Sequence, residues 1–521
     1  MQQAEEGVAA SSKDEADGAD EAGAPAGGEA LPSVTPELDE LVARARRAQK
    51  DWGATALPER IEALFGLKRR LLERAREIGA LLHEECGKPV EEAVLSEVLP
   101  NADLVDYWCN HVEELLEGSP VDLDPLSYPG KSGRISKEAR GLVALITPWN
   151  FPIAIPLRTL VPALLAGNAV LFKPSEITPR AGALVAALFA GLLPEGVLTL
   201  VEGGREVGAA LVHAGVDLVV FTGSVATGRK VAVACAEQLI PVSLELGGKD
   251  AAIVLADARL DRTANGIVWG AFTNAGQNCA AIERVYVVEA IEKELIPRIV
   301  AATKALRPGV DTTRMTTEAQ RDLVLGHLRA ALEGGAELLA GGEPDDPTSL
   351  DFPPTVVRLT DEDTPLMCDE TFGPILPIVV VKDEAEAVAR ANASRFGLTT
   401  SIWTRKIRHG RELARQLRSG VVTINNHAFT AALPAAPWTG TGETGYGVTN
   451  SPHCLSALTR VRFVLEDRNR GARELWWYPY TPALRTVAFS MAEVRGGARF
   501  FGRIAAFFRL LGALPKRLFG G

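Results

Sequence analysis

Leu142-Val143-Ala144-Leu145-Ile146-Thr147-Pro148-Trp149-Asn150-Phe151-Pro152 decides the fold. Its first five residues are apolar with no alternation, the signature of a strand covered on both faces, as in a parallel sheet. Short, mostly apolar runs recur at 169–172, 216–221, 242–246 and 251–255, with helical patterns between them. A second series runs from about 285 to 425, with candidate strands at 356–359, 377–381 and 421–424. Strands and helices alternating at this spacing make an α/β protein with two doubly wound lobes. No internal repeat is visible. Ahead of the sheets, helical periodicity begins near Pro36. It resumes at Leu57, where Pro58 suits a first turn, and continues through Ile61, Leu64, Leu67, Leu71 and Leu72 to a stop at Gly87-Lys88-Pro89.

The 521 residues are 47% hydrophobic and 23% charged, an ordinary globular composition for two or three packed domains. No apolar run approaches the ~18 residues of a membrane span. The acidic start has no apolar core and reads as no signal peptide. Six scattered cysteines suit a reducing, cytoplasmic setting, and neither they nor the seven histidines have metal-ligand spacing, so no metal is expected. A net charge of −11 argues against nucleic acid as a partner. Residues 1–31 carry eight acids against Lys13 and read as a disordered acidic tail.

Four segments carry candidate chemistry. Asn150, after the first strand, offers a neutral amide where doubly wound sheets build sites. Lys173 and Glu176, in Lys173-Pro174-Ser175-Glu176, could grip a ribose. Phe221-Thr222-Gly223-Ser224 passes from strand to helix, where backbone N–H groups and the Ser224 hydroxyl can meet a phosphate. Glu245-Leu246-Gly247-Gly248-Lys249 and Gly276-Gln277-Asn278-Cys279 place a carboxylate and a thiol among glycines, a pair suited to covalent catalysis with an activated water. Each has a plainer reading alone: a turn cap, a surface ion pair, an ordinary strand–helix turn, a small buried hydrophobe. Glu245, between two leucines, resists that reading because an unpaired buried carboxylate is costly.

Taken in order, these segments resemble the NAD(P)-dependent aldehyde dehydrogenase superfamily across roughly residues 35–465. Asp369-Glu370-Thr371-Phe372-Gly373-Pro374 and the stretch 392–403, with Phe396-Gly397-Leu398-Thr399-Thr400-Ser401, extend the match. The resemblance implies Cys279 as nucleophile, Asn150 and the Cys279 N–H as oxyanion hole, and Glu245 as the base that hydrolyses a thioester after hydride has passed to NAD. It also implies Lys173, Glu176, Ser224, Trp149, Gly223, Glu370 and Phe372 as cofactor contacts. Glu176 would repel a 2′-phosphate, favouring NAD over NADP. The implied architecture is a Rossmann-type NAD-binding domain (32–120 and 140–247), a catalytic domain (248–455) and a bridging element (121–139 and 456–470) that builds a homodimer or homotetramer.

Two departures stand out. The segment Pro437–Gly447 has Thr439 where the family has glycine, and no lysine. Arg158, on a helical face with Phe151 and Ile155, could pair with a carboxylate on the aldehyde, yet Thr273 stands where semialdehyde enzymes carry a second arginine. A CoA-acylating reductase is disfavoured by Glu245, and a catalytically silent scaffold by the intact set.

The extension 471–521 lies outside the resemblance. Trp476, Trp477, Tyr478 and Tyr480 precede a basic stretch in which Phe500, Phe501, Ile504, Phe507, Phe508 and Leu511 share one helical face, with Arg499, Arg503 and Arg509 outside it. A helix over 495–519 is too short to span a bilayer. It is suited either to lie on one or to dock on protein.

Overall fold

A computed structural model describes residues 35–125, 127–427 and 429–518. The acidic tail expected at 1–31 lies outside the described residues, as does Phe519. The chain divides into two compact units. The larger runs through the described residues up to Leu115 and again over Ala139–Arg460; the smaller comprises Leu116–Glu138 and the described residues from Val461.

The larger unit opens with helices Pro36–Ala54, Leu57–Glu73 and Ala75–Cys86. The Thr35 side chain caps the first by accepting from Leu38 N, and Gly87, at φ 70°, ends the third. The continuous helix read from 57 to 87 is in fact broken at Arg74, where φ −96°, ψ 12° interrupts the turn without a proline or glycine to announce it.

Five strands form an all-parallel sheet: β1 (Leu142–Ile146), β2 (Ala169–Lys173), β3 (Leu198–Leu200), β4 (Leu218–Thr222) and β5 (Val242–Glu245), in the order β3-β2-β1-β4-β5. Helix α1 (Ala154–Leu165) follows β1, and α2 (Val225–Glu237) follows β4. The second sheet contains β6 (Asp250–Val254), β7 (Ile282–Val288), β8 (Glu337–Ala340), β9 (Thr355–Leu359), β10 (Ile375–Val381), β11 (Thr399–Trp403) and β12 (Val421–Ile424). Its order is β8-β9-β10-β7-β6-β11-β12, with only β8 antiparallel. β6 leads through α3 (Leu260–Phe272) to β7. Every residue of β1, β2, β6, β7 and β11 is buried, which explains the apolar runs at β1, β2 and β6; β11 instead buries Thr399, Thr400 and Ser401. β7 escapes that reading because Glu283 and Arg284 sit inside it, both buried and both partnered.

Ser119–Val121, Lys131–Ala139 and Thr459–Asp467, which fall in the smaller unit apart from Ala139, Thr459 and Arg460, make a three-stranded sheet in that order. Val461, Phe463, Val464 and Leu465 stand exposed on the last strand. Helix α4 (Pro482–Ala492) packs against α5 (Phe500–Leu518). The inward face of α5 carries Ala506, Ala513 and Arg517, not the phenylalanines. Arg517 is buried and donates to the carbonyls of Leu475 and Pro479.

Candidate active site

The carboxyl ends of four strands lie level: Ile146 is opposite Lys173 and Phe221, and Thr222 opposite Glu245. In the order β3-β2-β1-β4-β5 the chain leaves in opposite directions on the two sides of β1, which opens a crevice at these ends. Trp149, Asn150, Lys173, Glu176, Gly223, Ser224 and Glu245 all sit on or just beyond them. Lys173 Nζ donates to the Pro174 carbonyl (3.0 Å) and lies 3.4 Å from Glu176 Oε2, with the lysine side chain 5% and the glutamate 55% exposed. This is no surface pair: a buried cation stands beside an open carboxylate. Ser224 caps α2, accepting from Thr227 N at 3.4 Å and donating to Thr227 Oγ1 at 3.1 Å. Gly223 is required because a Cβ there would lie 2.6 Å from the Phe221 ring.

Cys279 ends a strained loop. Asn274 and Ala275 both have φ 53°, unfavourable for residues with a Cβ. The loop is held from several sides. Glu92 accepts from Asn274 N at 2.7 Å; Asn274 Nδ2 donates to the carbonyls of Asn150 and Gln277, both at 3.0 Å. Gln277 Nε2 donates to Asn274 O and Arg314 O. Asn150 Nδ2 donates to the Gln277 carbonyl at 3.1 Å. A carbonyl only accepts, so this contact fixes which side of the amide carries nitrogen, and Asn150 Oδ1 is left buried without a partner.

The turn carrying Asn150 is fixed by residues that the sequence reading missed. Lys88 and Glu97 form a fully buried ion pair at 2.5 Å. Lys88 Nζ also donates to Asn150 O (3.1 Å), and Glu97 Oε2 accepts from the backbone of Ile153 and Ala154 at the start of α1. In sequence Lys88 is only the middle of a helix-stop tripeptide. Its signal could have been the lysine locked between Gly87 and Pro89, but its partner lies in a separate helical turn.

The two glycines after Glu245 have separate causes. A Cβ on Gly247 would lie 2.3 Å from Glu370 Oε2, and one on Gly248 2.1 Å from the Cys279 carbonyl oxygen. Gly248 N donates to Glu370 Oε1 at 2.9 Å. Lys249 and Glu283 form a second buried pair at 2.5 Å, and Glu283 accepts from Thr371 N and Phe372 N, both at 2.8 Å. That clamp holds Phe372 at φ 51°, edge-on to Trp149 with ring centroids 5.6 Å apart. The departing segment 437–447 also has a structural task. Leu244 N and Leu246 N donate to the carbonyls of Tyr446 and Thr444, both at 2.9 Å, so this turn is bonded to the backbone on either side of Glu245. Gly445 is needed there, since its Cβ would lie 2.6 Å from Leu244 O.

Burial dominates the electrostatics. It pushes the Glu245 carboxyl up to about 7, against the pull of Thr449 and Arg158, and one of its oxygens is buried without a partner. Glu370 rises to about 8 through burial and the nearby Glu283. The Cys279 thiol is driven well above its usual range by burial, then by Glu370, Asp250 and Glu245, with Arg158 opposing. His427 is held neutral, near 4, by burial, and its Nε2 donates to Ala280 O at 2.6 Å, pinning the backbone beside the nucleophile.

A cavity of about 770 Å³ runs to Cys279. Phe151, Ile155, Phe272 and Trp438 line it, as do Leu95, Trp269 and Val310, which are exposed. Phe151, Ile155 and Arg158 do share a face of the α1 region, and all three line this cavity. Among the described residues no carboxylate lies within ion-pair distance of Arg158, although Glu245 and Glu97 are near enough to affect it.

A model of the aldehyde dehydrogenase family matches residues 25–464. A curated protein from Methylomonas sp., named 4,4'-diapolycopene aldehyde oxidase, is 36% identical over 453 residues, covering 85% of this chain and 84% of that one. An NADP-dependent glyceraldehyde-3-phosphate dehydrogenase from Bacillus halodurans, solved with NADP, is 33% identical with TM-score 0.78, over 83% of this chain and 91% of that one. An aldehyde dehydrogenase from Bacillus cereus, solved with NAD+, is 29% identical with TM-score 0.79, over 83% and 89%.

Proposed function

The chain belongs to the aldehyde dehydrogenase family, and from that premise we propose that it oxidises a long apolar aldehyde to its carboxylic acid with NAD+ as acceptor. The observation that carries the reading is a mainly apolar cavity that reaches Cys279, with the Asn150 amide bonded to the Gln277 carbonyl two residues before it and Glu245 near enough to act on its charge. The crevice of the first sheet suits a dinucleotide. Lys173 and Glu176 offer a donor and an acceptor to ribose hydroxyls, Ser224 opens a helix N-terminus to a phosphate, and Trp149 and Phe372 offer rings beside Glu370. The exposed Glu176 carboxylate favours NAD+ by repelling a 2′-phosphate. When bound, the nicotinamide supplies the hydride acceptor.

The protein's own residues do the rest. Cys279 Sγ attacks as the thiolate, its proton released to solvent water; the C–S bond forms as the carbonyl π pair moves onto the oxygen, which gains negative charge. Asn150 Nδ2 has a second hydrogen, and among the described residues the Cys279 N–H has no acceptor, so both can donate to that oxygen. Such preset donors are commonly worth ~3–4 kcal/mol each. After two-electron oxidation the carbon is a thioester on Cys279. Glu245 then takes a proton from water, the hydroxide adds, and the C–S bond breaks to release acid and thiolate. Arg158 is near enough to both Glu245 and Cys279 to favour their ionised forms, opposing burial at each.

The mainly apolar lining supports a long apolar chain, and the relative named 4,4'-diapolycopene aldehyde oxidase supports aldehyde oxidation. Arg158 on the cavity wall favours a second reading, an aldehyde with a remote carboxylate. The first sheet serves as the NAD-binding domain, the second as the catalytic domain, and the three-stranded element as the surface of a homodimer or homotetramer in the cytoplasm. A panel of short, long-chain, aromatic and ω-carboxylate aldehydes, followed by NADH absorbance, tests this. Highest kcat/KM on long unsubstituted chains supports the proposal, and highest kcat/KM on ω-carboxylates overturns it.

A further inference from the structure

The pairing of α4 with α5 buries one face of α5 and leaves the other unpartnered. Phe500, Phe501, Ile504, Phe507, Phe508 and Leu511 all stand exposed on it, Phe501 at 82% and Phe508 at 66%. Neighbouring rings pair edge to face (Phe500 with Phe501, Phe507 with Phe508), so the surface is a strip of two aromatic pairs interspersed with Ile504 and Leu511. At 100° per residue, Arg503 falls on one border of this strip and Arg509 and Lys516 on the other. Arg509 is paired with Glu493; among the described residues Arg499, Arg503 and Lys516 have no carboxylate partner. Between 468 and 521 ten arginines and lysines face only two glutamates, in a chain whose net charge is −11. Exposed Trp476, Trp477, Tyr478 and Tyr480 belong to the same unit.

We propose that this face docks on the surface of an anionic lipid bilayer, with the aromatic strip in the acyl boundary and the border cations at the headgroups. Charge decides between occupants. A second copy meeting the same face would set its cations against themselves, whereas an anionic surface neutralises them. The arrangement of apolar arc, flanking cations and nearby Trp and Tyr is the one that interfacial helices use. No helix among the described residues is long and apolar enough to cross a membrane, so the contact is peripheral. This inference stands apart from the choice of aldehyde.

The test is co-sedimentation of the full-length enzyme with phosphatidylcholine vesicles, with and without phosphatidylglycerol. The wild type should pellet with the anionic vesicles, less as salt is raised, and hardly with the neutral ones. At about fivefold per cation near the surface, R499E/R503E/K516E should weaken binding by roughly a hundredfold or more. F501E/F508E, at positions whose exposure spares the fold, should abolish it. Both variants should keep the wild-type turnover of a short soluble aldehyde. Equal pelleting with neutral and anionic vesicles, no pelleting, or undiminished pelleting of F501E/F508E would each overturn the proposal. So would a change in oligomeric size of F501E/F508E without loss of vesicle binding, which would make the face a contact between copies.

Discussion

Replacing Glu245 by glutamine separates the two halves of the reaction. Burial lifts this carboxyl from 4.5 to about 7, and it can take a proton from water only when ionised. One group centred there is about one-tenth ionised at about pH 6 and about nine-tenths at about pH 8. Turnover limited by thioester hydrolysis should therefore rise roughly tenfold over that interval. Glu245→Gln should remove the rise, lower steady-state turnover by about 10²–10⁴-fold, and keep a first burst of NADH on mixing. Stability should move the other way. Because the folded pKa lies above the unfolded value, the fold binds the proton more tightly, and wild-type stability falls as pH rises from about 4.5 to 7. Above that window the buried charge costs roughly 3 kcal/mol, so the glutamine variant should be more stable by up to that amount at about pH 8 and by nothing near pH 4. Stopped-flow NADH absorbance and urea midpoints across pH measure both effects. A variant that keeps wild-type turnover, or one that is no more stable than wild type at about pH 8, would refute the reasoning.

Three further substitutions probe the supports. Lys88→Met leaves the Glu97 carboxylate buried without its cation and should cost about 3–5 kcal/mol in urea unfolding, with kcat falling because Asn150 loses an anchor. Gly248→Ala puts a methyl 2.1 Å from the Cys279 carbonyl; displacement of the nucleophile on that scale should lower kcat about a hundredfold in a protein that circular dichroism shows folded. Glu176→Ala removes an exposed carboxylate and should narrow the NAD+ over NADP+ preference in kcat/KM by about fivefold.

The fold was legible where burial is one-sided in its demands. Strands β1, β2 and β6 are covered on both faces, so their apolar runs announced a parallel sheet, and the site motifs fell at strand ends where such sheets bind ligands. The reading failed where polar groups are buried in pairs. Glu283 hid β7, and Lys88 with Glu97 hid the support beneath Asn150, because a buried ion pair looks like two surface residues until its partner is known. The break at Arg74 has no local residue to mark it. On α5 the apolar face was legible, but which face the protein itself covers depends on α4, and the small residues Ala506 and Ala513 that meet α4 carry little sequence signal.

The central claim is that Cys279 carries the acyl group. Glu245→Gln mixed with NAD+ and a long-chain aldehyde, quenched in acid and weighed by intact-protein mass spectrometry, tests it most directly. The account predicts a gain equal to the aldehyde less two hydrogens, mapped to Cys279 and absent when Cys279→Ala is added. An unmodified protein that still produces NADH, or an adduct that survives Cys279→Ala, would contradict it.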